Sequence, residues 1–336
     1  MDFSIIIPIY KRNEIFKDCL LSINSQILKP LEIIIVDNNT SQYESNALRA
    51  VIAKANISKD IKIIILDSPK NSGAIARNIG VKSSTTDIVA FLDSDVILDK
   101  NYYSTLIKYF YKDQNILAIQ GVDKSLVDSQ RQFKNKNVLF KLFNSFEEFF
   151  ETSSLHNKRK AFVSPSLAVA HPNVKSEFEV SSQWISTCAG IFRKRLFEKY
   201  SFPSQFITYS NNEYLFFSYQ IFKNCKGQML YTSKAKYRDV QTKKGRLNFI
   251  PLIFQIEVYD YFIFFRLFEM NFFNILIFAK SRIGHLIFNI INLFVKNNFS
   301  FRNLFLIFSS FFYPLLKIRF IIAGDLSFYE KRFYKS

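Results

Sequence analysis

The chain has 336 residues, 49% of them hydrophobic and 22% charged, so it can bury a sizeable core and falls outside the disordered class. Eight Gly and eight Pro exclude collagen-like and low-complexity chains. Cys19, Cys188 and Cys225 stand far apart without a CxxC pair, which excludes a disulfide scaffold and a thiolate zinc site and fits a reducing compartment. The net charge of +17 is uneven: residues 1–120 carry 14 basic and 13 acidic side chains, residues 121–248 carry 21 and 10, and residues 249–336 carry 10 and 5. That pattern points to a polyanionic partner for the back half only.

The opening Asp2 runs straight into Ile5-Ile6-Ile7 with neither a basic segment nor a cleavage site, so no signal peptide is expected. Short apolar runs and helical spacings then alternate. Strands are expected at Phe3–Ile9, Leu31–Val36, Ile61–Leu66 and Asp87–Leu92. Helices are expected at Ile15–Gln26, Tyr43–Ala55, from Ala74 to Val81 and at Tyr102–Tyr111. Continuous Ile/Val runs imply strands buried on both faces, and strand–helix alternation implies a doubly wound, mostly parallel α/β sheet. Each strand ends in polar residues: Tyr10-Lys11-Arg12, Asp37-Asn38-Asn39-Thr40, Asp67-Ser68 and Asp93-Ser94-Asp95. Ligands of such sheets gather at the carboxyl ends of the strands.

Asp93 and Asp95 stand two apart after an apolar strand. Two carboxylates so placed reach one hard cation, or else they are solvated turn residues. Asp37 either accepts hydrogen bonds from a base or ribose or makes an Asx turn. In Asn71-Ser72-Gly73-Ala74-Ile75-Ala76-Arg77-Asn78, Gly73 allows a tight turn into a helix whose N-terminus can face phosphate, and Arg77 follows about one turn later. GxGxxG and a phosphate-loop Lys are both absent.

Taken in order, Ser4-Ile-Ile-Ile-Pro-Ile-Tyr10, Glu32-Ile-Ile-Ile-Val-Asp37, the Asn71–Asn78 segment and Phe91-Leu-Asp-Ser-Asp95 resemble the successive motifs of family 2 inverting glycosyltransferases with the GT-A fold. The resemblance covers residues 1–120 and continues more weakly to about 235. It implies a nucleotide-sugar donor, with Pro8, Tyr10, Asp37, Arg77 and Asp93 around the nucleotide. It also implies a divalent cation, Mn or Mg, on Asp93 and Asp95. Trp184-Ile-Ser-Thr-Cys-Ala-Gly190 resembles the segment that lines the acceptor site. There Gly190 would permit close backbone approach, and Trp184 would stack on a sugar or pack in the core. Asn211-Asn212-Glu213-Tyr214 falls where the family shows Glu-Asp before a helix, which makes Glu213 the candidate general base. After the strand near Gln228–Tyr231 the family's His is missing, leaving Arg238 or Asp239 in its place. Gln183-Trp184 does not fit the Gln-x-x-Arg-Trp of processive synthases, so a single addition is expected.

The resemblance divides the chain into a donor half (1–120), an acceptor half (121–245) and a helical C-terminal region (246–336). That last region holds 20 of the 39 Phe. Ile283, Ile287, Ile290 and Phe294 form one apolar stripe, with His285, Asn289, Asn292 and Lys296 on another face. Leu304, Ile307, Phe308, Phe311, Phe312 and Leu315 form a second stripe. The longest uncharged stretch in the tail, Asn303–Leu316, is too short to span a bilayer. These stripes fit a core, a homo-oligomer interface or an interfacial platform with Lys243, Lys244, Arg246, Arg266, Lys280 and Arg282 on anionic headgroups. The expected enzyme is cytoplasmic and peripheral on the inner membrane face. It would act on a saccharide or lipid-linked saccharide, with no nucleic-acid partner. Transfer to a polyprenyl phosphate and a non-catalytic scaffold are the alternatives.

Overall fold

A computed structural model describes residues 2–126, 145–173, 176–208, 210–240, 242, 247–295 and 299–334. Lys243, Lys244, Arg246 and Lys296 lie outside the described residues. The chain divides into two compact units. The first takes the described residues up to 126 and from 172 to 242; the second takes 145–171 and 247–334.

The first unit is built on a nine-stranded sheet flanked by helices. Its front half follows the expected alternation: β1 Phe3–Ile9, α1 Asn13–Asn24, β2 Glu32–Asp37, α2 Gln42–Lys54, β3 Lys62–Asp67, α3 Gly73–Ser83 and β4 Ile88–Phe91. Then come β5 Val96–Leu98, α4 Tyr102–Lys112 and β6 Ile116–Asp123. β1 pairs in parallel with β2 and β4, and β2 with β3, so all four polar tips lie along one edge. β1, β2 and β4 are buried nearly throughout because helices cover both faces. β3 departs from the expectation of two-sided burial: it is an edge strand, and Ile63, Ile64 and Ile65 stay half-buried.

The second half of this sheet is mixed. β10 (Ile191–Arg193) runs antiparallel between β4 and β6. The long β11 (Gln228–Asp239) pairs in parallel with β6 and antiparallel with β5. β9 (Glu179–Ser181) pairs with β11. β11 extends eight residues past the expected Tyr231 and brings Asp239 opposite Val96, one residue after Asp95.

The second unit holds a small ribbon, β7 (Leu155–Lys158) with β8 (Ala170–Pro172), and the C-terminal helices. The ribbon stacks His156 on His171, ring centroids 5.5 Å apart, so two imidazoles distant in sequence meet here. After α5 (Glu213–Asn224) in the first unit, the second contributes α6 Phe249–Leu267, α7 Phe272–Val295, α8 Phe301–Leu316, α9 Ile318–Ala323 and α10 Ser327–Phe333. Among the described residues α7 alone is long and apolar enough to cross a membrane. This corrects the reading of a tail without such a helix: Lys280 and Arg282 are the only charged residues in its 24, too few to break the pattern.

Candidate active site

The site lies at the carboxyl edge of β1, β2 and β4. β1 ends in a sharp turn, with Lys11 at φ 54 and its N–H donating to Asn39 Oδ1 at 2.8 Å. The turn leaves Pro8 and Tyr10 half-buried beside Asp37, whose Cα pairs with that of Ile9. Asp37 makes the expected Asx turn and keeps its other oxygen open. Oδ1 accepts from the Asn39 N–H at 2.8 Å, an Asx turn, while Oδ2 is buried without a partner. A buried carboxylate oxygen left open is a costly arrangement that a ligand donor would relieve.

Asp93 and Asp95 follow β4 and are both held by arginines. Arg12 Nη1 lies 2.7 Å from Asp95 Oδ2. Arg77 Nη2 lies 2.8 Å from Asp93 Oδ1, and its Nη1 lies 2.7 Å from Glu213 Oε1. Arg77 is 6% exposed, with Nε unpartnered. The guanidinium is thus a bridge between two carboxylates 120 residues apart in sequence. The geometry explains Gly73: a Cβ there would lie 2.9 Å from Arg77 Nη1.

The start of α3 does not face phosphate, contrary to the sequence reading. Its first N–H groups are taken by protein oxygens: Gly73 donates to Thr208 O, Ala74 to Ser210 Oγ and Ile75 to Ser72 Oγ. The segment before α5 therefore seals the helix that carries Arg77, and the same segment delivers Glu213 through a left-handed Asn212 at φ 61.

Glu213 opens α5, is 6% exposed and takes a further hydrogen bond from the Thr187 side chain. Burial pushes its carboxyl up to about 7 against the pull of Arg77, and Asp93 adds to the rise. Tyr214, the next residue, turns to Trp184 instead, ring centroids 6.1 Å apart. Burial raises Asp95 as well, with Asp93 adding to it and Arg12 opposing.

Trp184 is 3% exposed and packs edge-on against Tyr231 at 5.6 Å, so its ring is a core element with no face open to a sugar. Gly190 gives close approach within the protein: an added Cβ would lie 2.2 Å from Ser186 O, and its own carbonyl accepts from the Phe91 N–H. It holds the 186–188 turn against β4. That turn sets the Cys188 thiol 3.3 Å from Asp93 Oδ2, where burial, then Asp93 and Asp239, push the thiol well above its usual range.

Arg12, Thr187 and Cys188 are site residues that the sequence reading passed over. Arg12 was visible as part of a polar strand tip, and the other two sit inside the Trp184–Gly190 segment. An open cavity of about 330 Å³, lined by Arg12, Glu14, Ile15, Asp18 and Thr242, shares Arg12 with this network. Of the two residues suggested in place of the missing His, Arg238 is exposed, while Asp239 is close enough to act on Cys188. Among the described residues no three His, Cys, Asp or Glu side chains cluster tightly enough to hold an ion. Asp93 and Asp95 are two hard oxygen donors, a set that suits Mg or Mn with ligands completed by diphosphate and water.

Known proteins resemble this chain in sequence and in fold. It is 23% identical over 199 residues to the glycosyltransferase GlyA of Streptococcus pneumoniae, covering 59% of this chain and 25% of GlyA. It is 26% identical over 175 residues to the GalNAc(5)-diNAcBac-PP-undecaprenol beta-1,3-glucosyltransferase of Campylobacter jejuni, covering 46% and 53%. The chain thus spans between a quarter and about half the length of these relatives. In fold it is similar to S. aureus TarS 1–349 in complex with UDP-GlcNAc, with a TM-score of 0.51 at 16% identity over 100% of this chain and 93% of that one. It is likewise similar to the mannosyltransferase PcManGT of Pyrobaculum calidifontis in complex with GDP-Man and Mn2+, with a TM-score of 0.50 at 12% identity over 99% and 88%. The family model described as glycosyl transferase family 2 matches residues 4–171, half of the chain and all four strand-end motifs. With those motifs assembled on one sheet edge, the chain belongs to glycosyl transferase family 2.

Proposed function

We propose that the chain moves one sugar from a nucleoside-diphosphate sugar to a hydroxyl of a saccharide acceptor, inverting the anomeric centre, in the assembly of a bacterial surface glycan. The observation that carries this reading is the buried carboxylate Glu213, tied through Arg77 to the Asp93 of a strand-end Asp-Ser-Asp. A base poised near neutrality beside a diphosphate-binding carboxylate is what transfer to a hydroxyl needs.

In this reading residues 1–120 form the donor half and 121–245 the acceptor half. Asp37 Oδ2 accepts from the base or ribose, and Pro8 and Tyr10 flank it. Asp93 and Asp95 would hold Mn or Mg, which when bound offsets the charge of the departing diphosphate. Glu213 takes the proton of the acceptor hydroxyl. The freed oxygen forms a bond to the anomeric carbon as the carbon–diphosphate bond breaks on the opposite face, releasing the nucleoside diphosphate. Arg77 keeps Glu213 oriented and favours its ionised form before the proton arrives. Trp184 acts behind the acceptor side, by packing on Tyr214 and Tyr231.

The acceptor is a lipid-linked saccharide at the cytoplasmic membrane face. Support comes from the printed name of the Campylobacter relative and from the apolar second unit. Tyr214 stands where the second family carboxylate is expected and points at Trp184, which also suits a polyprenyl phosphate, an acceptor already ionised.

Detergent-purified chain incubated with a panel of nucleotide sugars, with and without Mn2+, tests the proposal. Metal-dependent binding and slow hydrolysis of one donor are expected, and product analysis with a saccharide or polyprenyl-phosphate acceptor separates the two acceptors. Folded protein that binds no donor would leave a scaffold on a transferase fold.

A further inference from the structure

Two of the C-terminal helices, α7 and α8, bury few of their residues and leave much apolar surface exposed. The buried residues of α7 are Phe278, Ser281, Arg282, Gly284 and Leu293; those of α8 are Ile307, Ser310, Tyr313 and Pro314. The expected stripes divide: Ile307 is buried and Ile287, Ile290, Leu304 and Phe311 are half-buried, but Ile283 and Phe294 on α7 and Phe308, Phe312 and Leu315 on α8 are exposed. Gly284 sets how closely α7 seats: an added Cβ would lie 2.4 Å from Phe150 Cβ and 2.6 Å from Thr152 Cγ2. Bulky apolar residues left facing outward suit a lipid solvent, because apolar groups gain nothing there by turning inward.

The exposed apolar surface is concentrated. Of the 27 exposed large hydrophobic residues among those described, 18 lie between Met270 and Ile322. Phe272, Phe273, Phe301 and Phe305 are each at least 70% exposed. Only 22% of the most apolar stretch of α7 is buried. Such a patch marks an interaction surface.

Charge selects the partner. Arg302, Arg319, Lys331 and Arg332 are exposed beside this surface, against exposed Glu269 and Asp325. The two acids of α6, Glu257 and Asp260, are buried beside Arg282. The exposed balance is cationic, which suits anionic headgroups and opposes a second copy bearing the same charge.

Packing selects the orientation. Arg282, midway along α7, lies 2.5 Å from Asp260 of α6, and buried residues run from 278 to 293. α7 is therefore held against protein around 278–284 and again at 293, and its remaining residues are half-buried or exposed.

We propose that α7, α8 and α9 form a platform lying in the plane of one leaflet of an anionic bilayer. Their outward Phe, Ile and Leu side chains sit in the acyl boundary, and Arg302 and Arg319 sit among the headgroups. This deepens the membrane-face reading above and rests on it.

Flotation of the full chain with vesicles of 70:30 phosphatidylethanolamine to phosphatidylglycerol, against pure phosphatidylcholine, tests it. Wild type is expected to float with the anionic vesicles. Partitioning should drop at least tenfold in F272S/F273S/F301S/F305S, all surface changes, and severalfold in R302E/R319E or at high salt. Glu269→Cys and Phe299→Cys, flanking α7, should both react with an impermeant maleimide from outside the vesicles, above the wild-type background. Unchanged flotation of the Phe variant overturns the platform. A discrete lipid-free dimer that this variant dissociates assigns the face to a second copy, and reaction at only one cysteine makes α7 a span. Donor binding, read separately on the same preparations, reports on the transferase reading independently.

Discussion

At the scale of single residues, the site is a chain of alternating charges: Arg12 on Asp95, and Arg77 between Asp93 and Glu213. The carboxyl of Glu213 sits at about 7 because burial outweighs its pairing with Arg77. Two opposite pH dependences follow. Transfer should rise with pH through about 7, as the base loses its proton. Stability should move the other way. The raised folded pKa means that the native state holds the proton more tightly, so this contribution is complete below about 4.5 and is lost as pH climbs through 7. Melting temperatures of wild type and Glu213→Gln across pH 5 to 8 check it: the wild-type curve should fall more steeply. Arg77→Lys should keep the charge but lose one of the two pairings, since a lysine lacks the planar fork. Its transfer profile should shift to higher pH, whereas a purely structural Arg77 would change amplitude alone.

The elements are held by close contacts that a sequence pattern does not display. Gly80, in the middle of α3, lies against β1, and an added Cβ would come 2.3 Å from Ile6 Cγ2. Gly80→Ala should cost about 1–3 kcal/mol, read by denaturant unfolding, through forced repacking of α3 on the sheet. In the second unit, Arg282→Ala would strand the buried Asp260 and Glu257 and should cost about 3–5 kcal/mol by the same measurement. The parallel strands β1, β2 and β4 were legible because unbroken Ile and Val runs have few other uses. The short β5 and β10 were not, since three residues carry no periodicity. The inward faces of α7 and α8 were hidden for a different reason. Apolar periodicity finds a buried stripe where that stripe is apolar throughout, and here Ser281, Arg282, Gly284 and Ser310 are interleaved with Phe278, Leu293, Ile307 and Tyr313.

For the whole molecule, the four motifs made the polar sheet edge readable from sequence, and the fold gathers Asp37, Asp93 and Asp95 along it. Arg77 was visible as a residue but not as a bridge, because its second partner lies 136 positions away. The same distance hid the sealing of the start of α3 by Thr208 and Ser210. The uneven charge also acquires a physical place: the cationic back half includes a lobe whose apolar face is open. The central claim of the proposed function is that Glu213 is the base. The most direct test compares wild type with Glu213→Gln in donor binding and in transfer at saturating donor. Unchanged donor affinity with transfer reduced at least a hundredfold is predicted. Transfer by Glu213→Gln at the wild-type rate would contradict the assignment of the base.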